Sequence, residues 1–370
     1  MSPGTVAYAL LRAVSRLFST PVLTRTQGVG ISARAACFIT VFALAGLAAF
    51  GQTWKAPKTS WGDPDLQGTW TSDDLRDVPF ERPAQFGNRR YLTDEELSDR
   101  AKLVDQAQTE IVGKGIRPNS GYWARQAGVN AAAAPPQFQE FSRRASRQTS
   151  LVVDPPNGRV PPLTKEAQEQ RAAIDKLRNR RPESWTDRSM YDRCITRGVA
   201  GSAFPVIYGN GTQIIQAPGI VAIRYEMIHE TRIIPVALPN RAGRPHANPN
   251  LRTNMGDSRG HWEGNTLVVE TTNFIGGRNG VGVNGNGAAP YSDDLKLVER
   301  FTRVDARNIQ YEMTVTDPKT YTAPWTVAFP ITHEDGYQIF EYACHEGNYA
   351  MHNLLSAARA EDLADEANKK

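Results

Sequence analysis

No apolar run in the sequence is long enough to cross a bilayer. The stretch at 37–50, CFITVFALAGLAAF, has 14 residues, against about 20 for a spanning helix. Acidic residues are missing from 1–51, which carries Arg12, Arg16, Arg25 and Arg34. A basic flank, a short apolar centre and a small-residue exit make an export signal, with an uncleaved anchor as the alternative. Initiation nearer Val29, or a long amphipathic leader, would account for the residues ahead of it. Removing those four arginines from the 43 basic residues leaves a body with 39 basic and 39 acidic side chains. A neutral body gives no electrostatic reason to bind nucleic acid or an anionic membrane. Any membrane contact is expected only through the N-terminal segment.

Cysteine is scarce. Of three, Cys37 lies in the signal, leaving Cys194 and Cys344. Two cysteines in an exported chain read as a disulfide closing a very long loop. Arg193 and Arg197 around Cys194 leave a reactive thiol as the rival reading. His-Glu-x-x-His is absent, and the βαβ pattern that would carry a hydrolase nucleophile is missing. The glycine-rich 276–287 run lies between strand signals with no helix after it, so it reads as a loop and not as a dinucleotide cradle.

What is present divides the chain into a leader at 1–51, a loop and helix segment at 52–199, a strand-rich core at 200–359 and a polar tail at 360–370. In the second part Thr93, with Glu96 three residues on, predicts a capped helix. Thr164, just after Pro161-Pro162, predicts another. The core shows strand signals at 212–218, 220–228, 231–236, 259–263, 266–274, 295–304, 309–317, 325–333 and 337–345. Ile309, Tyr311, Met313 and Val315 alternate with Gln310, Glu312, Thr314 and Thr316. So many short strands joined mainly by tight turns predict a mainly β, antiparallel meander that closes into a barrel. A flat sandwich is the alternative. The tryptophans at 54, 61, 70, 262 and 325 read as core and plug residues.

Three polar clusters are candidate sites. Asp257, Arg259, His261 and Glu263 fall at spacing two, so a strand there puts all four on one face. His261 would carry a proton, a carboxylate would orient it, and Arg259 would clamp an anionic group. The bland alternative is a solvent-facing hairpin with weak ion pairs. Glu226 and His229 close a second strand, and His345 ends a third at what would be a barrel rim. No cofactor is expected. A divalent ion held by His229, His261 and His345 with Asp257 or Glu263 is the weaker reading, because no pair has the spacing of a known metal motif.

The motifs PDLQGTW, SLVVDPPNGRVPPLT, GDSRGHWEGNTLVVETTNF, LVERFTRVD and EYACHEGNY together resemble a large group of exported soil-bacterial proteins, over about 60–359. That likeness implies export and no particular activity. GTW at 68–70 and WEGNTLVVET are also similar to lipocalin-like barrels, in which such a tryptophan plugs the barrel. The combined expectation is an exported, lipocalin-like barrel wrapped by its N-terminal half. Its mouth would gather Glu226, His229, Asp257, Arg259, His261, Glu263 and His345 for acid–base work on a small molecule, as a lyase, isomerase or hydrolase. A non-catalytic binder of an apolar or aromatic molecule is the alternative, and an envelope protein without a ligand is the third reading.

Overall fold

A computed structural model describes residues 54–76, 78–114, 144–206, 209–238, 243–277 and 291–369, without the side chains of 107–114. The leader at 1–51 and most of the glycine-rich 276–287 run lie outside the described residues. Both predicted capped helices form. Helix α1 spans Asp94–Lys114, and Thr93 and Glu96 exchange side-chain-to-backbone hydrogen bonds of 2.8 and 3.2 Å at its start. Helix α2 spans Lys165–Asn179, and the Thr164 hydroxyl accepts the Ala167 N–H. A short α3, Gly198–Ala203, and a C-terminal α4, Tyr349–Ala367, follow. No described helix is long and apolar enough to cross a membrane.

The strands are β1 Gly68–Thr71, β2 Val152–Asp154, β3 Gly211–Ala217, β4 Ile220–Tyr225, β5 Thr231–Pro235, β6 Asp257–Glu263, β7 Thr266–Thr272, β8 Lys296–Arg303, β9 Asn308–Thr316 and β10 Trp325–His333. They form one antiparallel sheet in the order β5-β4-β3-β1-β10-β9-β8-β7-β6, with β2 also on β10. The four-residue β1 joins the β3–β5 meander to the β6–β10 meander. The barrel therefore takes a strand from the segment expected only to wrap it.

Nine antiparallel strands impose a consequence. An odd number brings the two ends of the path together parallel. The seam is indeed a parallel bridge between Val236 and Gly260, with the Ala237 N–H donating to the Gly260 carbonyl at 2.8 Å. A Cβ at Gly260 would meet Val236 at 3.0 Å and Ile234 at 3.2 Å, so the seam closes where a side chain is missing. The result is a nearly closed barrel. Adjacent parallel strands cannot be joined by a tight hairpin, so the chain between β5 and β6 has to return along the barrel before β6 begins.

The lumen is filled. Trp70, Tyr311 and Phe329 are buried there, and Tyr311 packs against Phe301 and Phe329 at ring separations of 4.9 and 5.2 Å. Trp325 is also buried, whereas Trp54 and Trp61 are exposed and plug nothing. Among the aromatics lies a bidentate ion pair. Arg232 on β5 donates to both Glu299 oxygens on β8, at 2.7 and 2.9 Å, and the two side chains are only 3% and 0% exposed. The Tyr311 hydroxyl adds a hydrogen bond to Glu299 at 2.9 Å, and the guanidinium lies over the Tyr225 ring. Burial works against the Arg232 charge, and Glu299 more than offsets it, keeping the guanidinium charged. Burial raises both tyrosines.

The expected strand at 337–345 is absent. Beyond His333 the chain runs as an extended strap without ladder pairing. The edge of β10 that it would need is already held by β1 and β2. The strap is fixed instead by side chains and by a disulfide between Cys194 and Cys344, which closes a loop 150 residues apart in sequence. Such a bond persists in an oxidising compartment.

Removing one member of a buried pair strands the other charge, at a cost of about 3–5 kcal/mol. Glu299→Leu should therefore destabilise the protein by about that amount in urea unfolding, and adding Arg232→Met should restore most of the loss. An unchanged stability in Glu299→Leu would show that the pair holds nothing together.

Candidate functional site

On β6 the buried Ser258 and Gly260 alternate with Asp257, Arg259, His261 and Glu263. The four share a face, as their spacing requires. That face is the outer wall of the barrel, and it carries two separate groups. His261 bonds Glu263 at 3.1 Å, and Arg300 bonds the same carboxylate at 2.8 Å; His261 and Glu263 are half exposed. Asp257 and Arg259 belong to the other group, which is better enclosed.

That second group centres on His246, in the segment that returns from β5 to β6. Its Nδ1 lies 2.9 Å from Asp257 Oδ2 and its Nε2 lies 3.4 Å from Glu270 Oε1. Arg259 reaches Asp257 at 2.6 Å and the Pro245 carbonyl at 2.9 Å. Lys296 reaches Glu270 at 2.5 Å. His246 is 26% exposed and Asp257 19%. The loop is held at several points. The Ala247 N–H donates to Asp257 at 2.9 Å. The Asn273 side chain, at a left-handed φ of 59°, donates to the carbonyls of Ala247 and Asn248 at 3.1 and 3.3 Å. Thr253 bridges to Phe274.

The electrostatics follow from these partners. Burial alone would raise the Asp257 carboxyl. The Ala247 N–H, His246 and Arg259 outweigh burial and hold it below the ordinary carboxylate range. Lys296, aided by His246, holds Glu270 below that range as well. A neutral imidazole donates from one nitrogen only, so only the doubly protonated ring can donate to both carboxylates. The arrangement orients the ring through Asp257 and turns Nε2 toward Glu270, the geometry of an oriented acid–base group.

No family model, no curated protein and no solved structure matches the chain.

The other expected residues lie elsewhere. Glu226 is buried and accepts the Tyr337 hydroxyl and, at 3.4 Å, the Phe340 N–H. Exposed His229 faces the Tyr342 carbonyl at 2.9 Å. Both therefore anchor the strap over the β4–β5 turn. His345 is exposed in the turn after Cys344. The segments of His229 and His345 thus meet where the strap crosses the β4–β5 turn, whereas His261 pairs with Glu263 on the outer wall of β6. Among the described residues no group of three or more histidine, cysteine, aspartate or glutamate side chains could hold a metal ion. Residues 256–260, Gly-Asp-Ser-Arg-Gly, do have the spacing of a hydrolase nucleophile motif. Ser258, however, is buried in a strand and shares a 2.9 Å hydrogen bond with Thr271, so it is no nucleophile elbow.

His246 escapes a reading based on alternation because it sits in a loop. A usable signal did exist. The turn at Gly264-Asn265 fixes the hairpin register and puts Glu270 opposite Arg259, which widens the outer-wall charge cluster.

Asp257 and Glu270 have folded pKa values below their unfolded values of about 3.9 and 4.3. Their stabilisation is present above those unfolded values and is lost as pH falls through the folded ones. Urea midpoints should therefore drop between about pH 5 and pH 2.5, and the drop should be shallower in Asp257→Asn. An identical pH profile in that variant would contradict the assigned partners.

Proposed function

We propose that this is an exported enzyme that moves protons on a small molecule at the outer wall of β6–β8. His246 is the proton carrier, Asp257 orients it, and Arg259 and Lys296 hold an anionic group of the substrate. The reaction class is that of a lyase, isomerase or hydrolase. One observation carries this reading: a single imidazole lies between two carboxylates, at 2.9 and 3.4 Å, on a loop clamped at several points. His261, exposed beside Glu263, is left with a surface ion pair. The disulfide accords with an oxidising destination, and the 37–50 run supports export. The neutral body favours a small-molecule partner over nucleic acid.

The test is proton exchange. The protein is incubated in D₂O with pyruvate, acetone and 4-nitrophenyl acetate, following C–H exchange by NMR and hydrolysis by absorbance. A positioned acid–base group contributes about 10²–10⁴-fold. At least one probe should react about 100-fold faster with the native protein than with His246→Gln, at an unchanged melting temperature. His261→Gln should match the native rate. Equal rates for native and His246→Gln on every probe would remove the reading.

A further inference from the structure

An open groove on another part of the molecule shares no residue with the His246 cluster. It lies where α4 meets the 188–194 segment, has a volume of about 480 Å³ and is lined by Tyr191, Tyr342, Met351 and Leu354, with Arg188 and Asp192. The disulfide is part of its wall. That volume falls within the range of small-molecule sites, about 300–1,000 Å³. Exposed aromatics border it in sequence: Phe340 is 70% exposed, Tyr349 73% and Trp185 56%, and Arg193 lies over the Trp185 ring.

Both walls are fixed without a ladder. The Asn348 amide donates to the Asp192 carbonyl at 2.9 Å and to Cys194 Sγ at 3.4 Å, and its oxygen caps α4 by accepting the Met351 N–H. Arg181 pins the far end of α4 through Asp362 and Asp365, and Arg359 donates to the Pro182 carbonyl. A preformed groove avoids much of the ordering cost of binding.

Its charges are not equivalent. The Asp192 carboxylate already accepts the Ser189 N–H and hydroxyl, at 3.1 and 2.8 Å. Arg188 gives one donor to the Arg178 carbonyl at 3.2 Å, and a guanidinium has five. The groove therefore combines apolar and aromatic walls with a cation that retains donors, a pairing suited to a carboxylate. We infer that this groove binds a small organic anion with a flat apolar body, an aryl carboxylate being the simplest case. The filled lumen leaves no room for the apolar ligand of a lipocalin-like barrel, and the groove offers a separate place for one. The inference does not depend on the His246 reading.

The test is calorimetric titration of the disulfide-intact protein with 2-naphthoate. A Kd below about 1 mM is expected. Arg188→Gln should weaken binding at least about 10-fold, and the neutral analogue 2-naphthylmethanol should bind the native protein at least about 10-fold more weakly. Leu354→Trp, which fills the groove, should abolish binding, and His246→Gln should leave it unchanged. No binding at about 10 mM, equal binding by Arg188→Gln, equal binding of the neutral analogue, or loss in His246→Gln would each overturn the inference.

Discussion

The ion pair between Arg232 and Glu299 is the constraint on which the rest depends. Among the described residues the barrel closes along a seam with one parallel bridge, Val236 to Gly260, in place of a full ladder. A seam so short needs reinforcement from elsewhere. Arg232 sits on the closing strand β5 and Glu299 on β8, so their two hydrogen bonds tie the seam to the opposite meander through the lumen. Desolvating two charges costs several kcal/mol apiece. Bidentate geometry and the Tyr311 hydroxyl offset that cost and fix one arrangement. The same pair occupies the space that a luminal ligand would need.

Closure with an odd number of strands then dictates where the His246 cluster sits. Because β5 and β6 run parallel, the chain between them must travel back along the outer wall. That return lays His246 against Asp257 and Glu270. A meander with an even number of strands would join these neighbours by a hairpin, with no loop to carry a histidine over the wall. The His246 cluster is thus a product of topology, and it sits outside the barrel for the same reason.

Much of this architecture is legible in the residues. Alternation and turn chemistry locate β3 to β10 within a few residues, and the caps at Thr93 and Thr164 mark two helices. The long-range disulfide follows from cysteine number and compartment. Alternation also reveals that Asp257, Arg259, His261 and Glu263 share a face, but not that the face points outward, since both faces of β6 carry polar groups. Pairing information is what was missing. The 337–345 strap has a strand-like pattern, yet β1 and β2 had taken its edge. The four residues of β1 were too few to announce a strand that joins two meanders. His246 lies in a loop, where no periodicity places a side chain.

The claim that luminal pairing holds the seam, and that the seam holds the site, can be tested by amide hydrogen exchange in Glu299→Gln. The account predicts faster exchange at Ala237 on the seam and at Ala247 beside His246, with the β8–β9 ladder amides still protected. Unchanged protection at Ala237 and Ala247, or a uniform loosening of every strand, would contradict it.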